Sequence, residues 1–128
     1  MMLRRLSVSA AVLLSCSAAF AAEDVNHGMV VFMANCAACH SIAPDQHKSG
    51  PSLAGVFGRT AGSLQGFEYS STLAKEDFEW NDATLFEYLT VPTQTGGGDE
   101  PLLHGVAMGF EGVEVKSAED LIAFLKRF

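Results

Sequence analysis

The segment Cys36-Ala37-Ala38-Cys39-His40 places two thiols and an imidazole within five residues. A turn of chain over that segment can offer both sulfurs to the two vinyl groups of a haem, forming thioethers, while the histidine reaches the iron from one side. Two other chemistries use paired cysteines. Zinc needs two further thiolates or imidazoles, and His27, His47 and His104 show no paired spacing that would complete the set. A thioredoxin-like dithiol follows a strand in an α/β pattern, whereas this pair follows a helical pattern. Attachment of one haem c gives both thiols and the imidazole a task.

The motif must be held by the elements around it. Val25, Met29, Phe32 and Cys36 recur at helical spacing and predict a helix over residues 26–38 with those side chains on one face. Met29 and Met33 are expected to pack in the core. Residues 41–66 carry Pro44, Gly50-Pro51, Gly55 and glycines 58, 62 and 66, and read as loop. Short helices are predicted at residues 70–75 and 82–90, the second capped by Asn81 and stopped before Pro92. Another loop follows over residues 93–107, opened by Gly96-Gly97-Gly98. A last helix is predicted from Ser117, whose hydroxyl would cap it, with Glu119 and Asp120 in the first turn and Lys126 and Arg127 in the last. Its Leu121, Phe124, Leu125 and Phe128 need a partner surface, which the first helix offers. No strand or internal repeat is evident. Short helices with two long irregular segments bury too little surface alone, and a flat apolar macrocycle would supply what is missing.

Of the 128 residues, 48% are hydrophobic, but residues 1–21 read as a secretion signal. Arg4 and Arg5 give the positive start, residues 6–14 an apolar stretch too short to span a bilayer, and Ala19-Phe20-Ala21 a cleavage pattern. Cleavage leaves one domain, residues 22–128, at a size where a cofactor is a useful staple. Loss of the two arginines takes the formal charge from −7 to −9. Such a balance disfavours nucleic acid and anionic membrane surfaces, both polyanions. Leu13-Leu14-Ser15-Cys16 resembles a lipoprotein processing site, and lipid on Cys16 would make residues 17–27 a tether; this is the minor alternative to cleavage after Ala21.

Further blocks fall in a definite order: Gly28-Met29-Val30-Val31-Phe32, His47-Lys48-Ser49-Gly50-Pro51-Ser52-Leu53, Val56-Phe57-Gly58-Arg59, Gly66-Phe67-Glu68-Tyr69 and Trp80. Leu85-Phe86-Glu87-Tyr88-Leu89, Met108-Gly109-Phe110-Glu111-Gly112-Val113 and Asp120-Leu121-Ile122-Ala123-Phe124-Leu125 complete them. Together they resemble the class I cytochromes c of the mitochondrial and bacterial c2 type over nearly all of the mature chain. The resemblance implies an all-α fold, short helices and long loops wrapped around one covalent haem c on Cys36 and Cys39, with His40 and Met108 as axial ligands. A neutral imidazole with a soft thioether raises the reduction potential and leaves no open position for a substrate. By the same resemblance Pro51 or Gly50 holds the His40 ring through a carbonyl, and Arg59, Tyr69 and Trp80 serve the propionates. Tyr88 then lies near the methionine sulfur, His47 pins loops, Gly28 and Phe124 mark the crossing of the terminal helices, and His27 is a solvated residue at a helix start.

Two features depart from that pattern. The ligand segment reads His104-Gly105-Val106-Ala107-Met108 after an insertion, which makes His104 an alternative ligand. Of the lysine ring that surrounds the haem edge in mitochondrial members only Lys48 is kept, so a basic or apolar partner face is expected. The function implied is that of a monomeric, exported, periplasmic one-electron carrier, not an enzyme. It would serve a respiratory or photosynthetic chain, or link a periplasmic dehydrogenase to an oxidase or reductase, with the haem edge near Cys36, Cys39 and Phe110 as the exit. The alternatives are a haem subunit bound permanently in an oxidoreductase and, with an open iron position, a small peroxidase or gas-binding protein.

Overall fold

A computed structural model describes residues 22–90 and 108–128. Residues 1–21, read above as a signal with Cys16, and residues 91–107, where a loop with Gly96, Gly97, Gly98, His104, Val106 and Ala107 was expected, lie outside the described residues. Three α-helices follow in order: α1 Val25–Asn35, α2 Asp82–Thr90 and α3 Val115–Leu125, with a short 3-10 turn at Leu73–Lys75. Among the described residues there is no strand, only an isolated antiparallel bridge between Thr60 and Glu79. None of the described helices is long and apolar enough to cross a membrane.

Helix α1 starts where Asp24 accepts hydrogen bonds from the N–H groups of Asn26 and His27 at 2.9 and 3.1 Å, satisfying donors that the first turn leaves open. It stops three residues short of the predicted end. The N–H groups of Cys36 and Ala37 both return to the Phe32 carbonyl, and those of Cys39 and His40 to the Cys36 carbonyl, so the cysteines ride on a turn beyond the helix. The buried face consists of Gly28, Val31 and Phe32. Met29 and Met33, expected in the core, are 48% and 65% exposed. The reason is that VNHGMVVFMAN is apolar on every side, so periodicity alone cannot orient it. The close fit at Gly28 does.

A methyl group added at Gly28 would lie 2.0 Å from the Asp120 carbonyl oxygen and 2.8 Å from Phe124 Cβ, so only glycine lets α1 and α3 cross here. Phe32 packs on Phe124 at the crossing, ring centroids 5.6 Å apart, and each ring contributes about 2–3 kcal/mol by burial. Leu121 and Ala118 are fully buried beside them. The start of α3 differs from the prediction: the helix begins two residues before Ser117, at Val115, after Glu114, and no side chain caps it. Phe128 stays 47% exposed, tilted against Phe124.

Asp120 lies beyond the first turn and is buried. It accepts from the Asp24 N–H at 2.7 Å, pairs with His27 Nδ1 at 2.7 Å and bonds Lys116 Nζ. His27 is exposed at the helix start, as expected, and is in addition tied to the crossing through Asp120. Burial opposes the Asp120 charge, but these donors outweigh it and hold the carboxyl down at about 2.

Helix α2 has the predicted bounds, because Asn81 Oδ1 accepts from the N–H groups of Ala83 and Thr84 while Thr84 Oγ1 accepts from the Asn81 N–H. Leu85 and Leu89 turn inward, the Val113 N–H bonds the Leu89 carbonyl, and Lys126 pairs with Asp82 at 2.6 Å. The loops between α1 and α2 are stitched by backbone bonds, among them Leu53 N–H to Ser41, Gly58 N–H to Trp80, Trp80 N–H to Arg59 and Ala61 N–H to Phe78.

Candidate functional site

The turn after α1 leaves Cys36 half-buried and Cys39 exposed, both thiols free. Burial, and then the neighbouring Cys39, push the Cys36 thiol up to about 11, so it is a neutral sulfur in the folded chain. The next residue, His40, is turned inward. Its Nδ1 lies 2.7 Å from the Pro51 carbonyl, which can only accept, so Nδ1 carries the proton and donates. Burial lowers the His40 pKa, Lys48 adds to that, and the Pro51 bond opposes it; the ring is neutral.

On a neutral imidazole protonated at Nδ1, the other nitrogen presents a lone pair. That nitrogen, Nε2, faces the Met108 sulfur at 3.5 Å, and a thioether has no proton to give. Two electron-pair donors are thus aimed at each other from positions far apart in the chain. Simple packing has no use for this opposition, whereas a nitrogen–sulfur pair suits a haem iron.

The supports of the two donors are local. Gly50 lies flat against the imidazole: a methyl group there would come 2.3 Å from His40 Cε1. The Gly50 N–H bonds the Cys39 carbonyl at 2.8 Å, so the Gly50-Pro51 segment is fastened to the cysteine turn that it braces. On the methionine side the Tyr88 hydroxyl donates to the sulfur at 3.8 Å. Burial pushes that phenol up to about 12, which keeps its proton in place. Tyr88 leans on Trp80 with centroids 5.2 Å apart, and Trp80 meets Phe78 edge-on at 4.8 Å. These rings make an apolar wall beside Met108.

Of the residues predicted for the site, Cys36, Cys39, His40, Pro51, Tyr88 and Met108 lie in one linked group, with Trp80 against Tyr88. Arg59 and Tyr69 lie on the loops. Arg59 donates to the carbonyls of Ala54 and Ser52 at 3.1 and 3.2 Å; burial lowers its pKa, with Tyr69 opposing. Tyr69 packs edge-on against Phe67, which meets His47 in the same manner. His47 accepts from the Ser52 N–H within its own loop, and its ring meets Phe67 of the segment that carries Tyr69. His104 lies outside the described residues.

Of the two carbonyls expected to hold the His40 ring, that of Pro51 does so while Gly50 packs on its face; neither this packing nor the buried Asp120 network was expected. For the second, the spacing of Lys116 and Asp120, four apart on a helix, was an available signal. Among the described residues no group of three or more His, Cys, Asp or Glu side chains could hold a metal, so a tetrahedral zinc site is not formed by them.

Comparisons with known proteins point to one family. The family model described as cytochrome c matches residues 25–127. A cytochrome c of Gibberella zeae is 39% identical over 108 residues, covering 83% of this chain and 95% of its own. A cytochrome c2 of Blastochloris viridis is 35% identical over 128 residues, covering 98% and 94%. Among solved structures, cytochrome cH from Methylobacterium extorquens superposes with a TM-score of 0.70 at 32% identity, covering 82% of this chain and 99% of that one.

Proposed function

The chain belongs to the cytochrome c family, and from that premise we propose that it is an exported, monomeric one-electron carrier whose single haem c is attached at Cys36 and Cys39 and ligated by His40 and Met108. Members of this family are electron carriers with one covalent haem c that act with redox partners. When bound, the haem supplies one-electron oxidation and reduction. The observation that carries the ligand assignment is the opposition of His40 Nε2 and Met108 Sδ at 3.5 Å.

The chain's own groups do the rest. Cys36 and Cys39 supply the sulfurs for the thioethers. The Pro51 carbonyl fixes the proton on Nδ1 and so keeps Nε2 available, raising its donor strength, while Gly50 stops the ring from turning. The Tyr88 hydroxyl hydrogen-bonds the methionine sulfur and limits its movement. Arg59, Tyr69 and Trp80 are assigned to the propionates. With His40 and Met108 both holding the iron, the haem would supply one-electron transfer through the edge near Cys36, Cys39 and Phe110 and would offer no position to a substrate.

Export is supported by the signal pattern of residues 1–21 and by the match to the Blastochloris viridis cytochrome c2, which covers 98% of the chain and so takes in most of that segment. The proposed location is the periplasm, between a donor and an acceptor that are themselves redox proteins with basic or apolar faces.

The near-infrared sulfur-to-ferric-iron band tests the ligand pair. It is expected in the oxidised protein and should vanish in Met108→Ala, which should also bind carbon monoxide rapidly when reduced. Survival of the low-spin spectrum in that variant transfers the ligand role to His104. Fast carbon monoxide binding by the unaltered protein would overturn the carrier reading.

A further inference from the structure

The outward side of α1 is apolar and carries no Asp, Glu, Lys or Arg. Residues 25–44 contain no Asp, Glu, Lys or Arg, in a chain that holds 15 acidic residues. Within that stretch Met29, Val30 and Met33 are 48%, 59% and 65% exposed. Their spacing of three and four residues puts them side by side on one face of the helix. The strip runs towards the cysteine turn, where Ala34, Asn35, Ala38 and Cys39 are exposed as well. The first basic group after the motif, Lys48, has its amine on the Ala37 carbonyl at 2.6 Å.

We propose that the Met29–Val30–Met33 strip is where a redox partner docks, and that the partner's matching face is apolar and uncharged. This rests on the carrier reading given above. Three arguments select that occupant. The three side chains expose on the order of 300 Å², short of the roughly 800 Å² per partner of a stable complex and suited to a brief electron-transfer encounter. A second copy is disfavoured, since both chains would carry the −9 charge of the processed form. Methionines adapt their shape to an apolar surface, and the uncharged strip leads directly to the cysteines that would hold the haem edge.

The test is stopped-flow oxidation of the reduced holoprotein by a cell extract of the source organism, membranes and soluble fraction together. The second-order rate is expected to change by less than about twofold between low and high salt, where steering by charge would change it steeply. A Met29→Lys, Met33→Lys double variant should react roughly tenfold more slowly, the range of one lost apolar anchor. Val115→Lys, an equivalent change at a residue 57% exposed on α3, should react like the unaltered protein. An unchanged visible spectrum shows that each variant has kept its fold. An unimpaired double variant with a steep salt dependence overturns the proposal. So does a dimer in sedimentation, or binding to phosphatidylcholine vesicles, that the double variant abolishes. Failure of the unaltered protein to be oxidised at any salt concentration instead overturns the carrier reading itself.

Discussion

At the crossing of α1 and α3 the chain is complete in itself. Gly28 admits the backbone of α3, Phe32 fills against Phe124, and the buried carboxylate of Asp120 has donors from Asp24, His27 and Lys116. Around His40 the chain behaves differently. There the backbone bonds are satisfied turn by turn, but the two central atoms, Nε2 and Sδ, offer electron pairs to each other with no proton between them. One region is closed by protein groups, and the other is arranged towards a group that the protein does not encode. The difference explains how a domain of this size can hold long irregular segments: the helix crossing anchors the two ends, and the loops are shaped to a cofactor.

That contrast can be broken in graded ways. The largest effect is expected from Cys36→Ala with Cys39→Ala, which should abolish covalent haem entirely, as read by the intact mass and by extraction of haem into acidified solvent. Next comes Gly28→Val at the other region. The added methyl groups have no room, and urea unfolding should show a loss of about 3 kcal/mol or more, with the spectrum of the folded fraction unchanged.

Asp120→Asn is expected to cost about 1–3 kcal/mol, since it weakens charged hydrogen bonds without emptying the site. It also carries a pH signature. The Asp120 carboxyl is depressed from 3.8 to about 2 in the fold, so the unfolded chain takes up the proton first. The stabilisation is therefore present above pH 3.8 and disappears as pH falls through about 2. The asparagine variant should lack that acid limb in a series of denaturation curves. The smallest effect should come from Tyr88→Phe, which loses the hydroxyl on the sulfur. Stability should move by about 1 kcal/mol or less, with a small shift in the potential found by redox titration.

Much of the site was legible because covalent attachment needs contiguous residues: Cys36, Cys39 and His40 declare their chemistry by spacing. The bounds of α2 were legible for a local reason too, the Asn81 cap. The end of α1 was not, because alanines 34, 37 and 38 suit a helix as well as the turn they partly occupy. Nor was the orientation of α1 legible, since it depends on a close approach at Gly28 to a segment more than 90 residues away. Asp120 looked like a charge suited to a helix start and proved to be a buried tie, a role set entirely by what faces it. Met108 needed the family resemblance, because a lone methionine in a loop announces nothing by its spacing.

The Asp120 network has one more consequence, for movement of the whole molecule. Lys116 also donates to the Ala22 carbonyl at 3.2 Å, and the Asp24 N–H is bound to Asp120, so the folded domain begins at the first residue after the proposed cleavage point. The 17–27 tether imagined for a lipidated Cys16 therefore shrinks to residues 17–21. Fully extended, that leash reaches roughly 20 Å from the cysteine to Ala22, less than the roughly 30 Å diameter of a domain of this length. A lipidated chain would be a fixed relay pressed to the bilayer, able to serve only neighbours in the same membrane. Cleavage after Ala21 would instead release a diffusing shuttle.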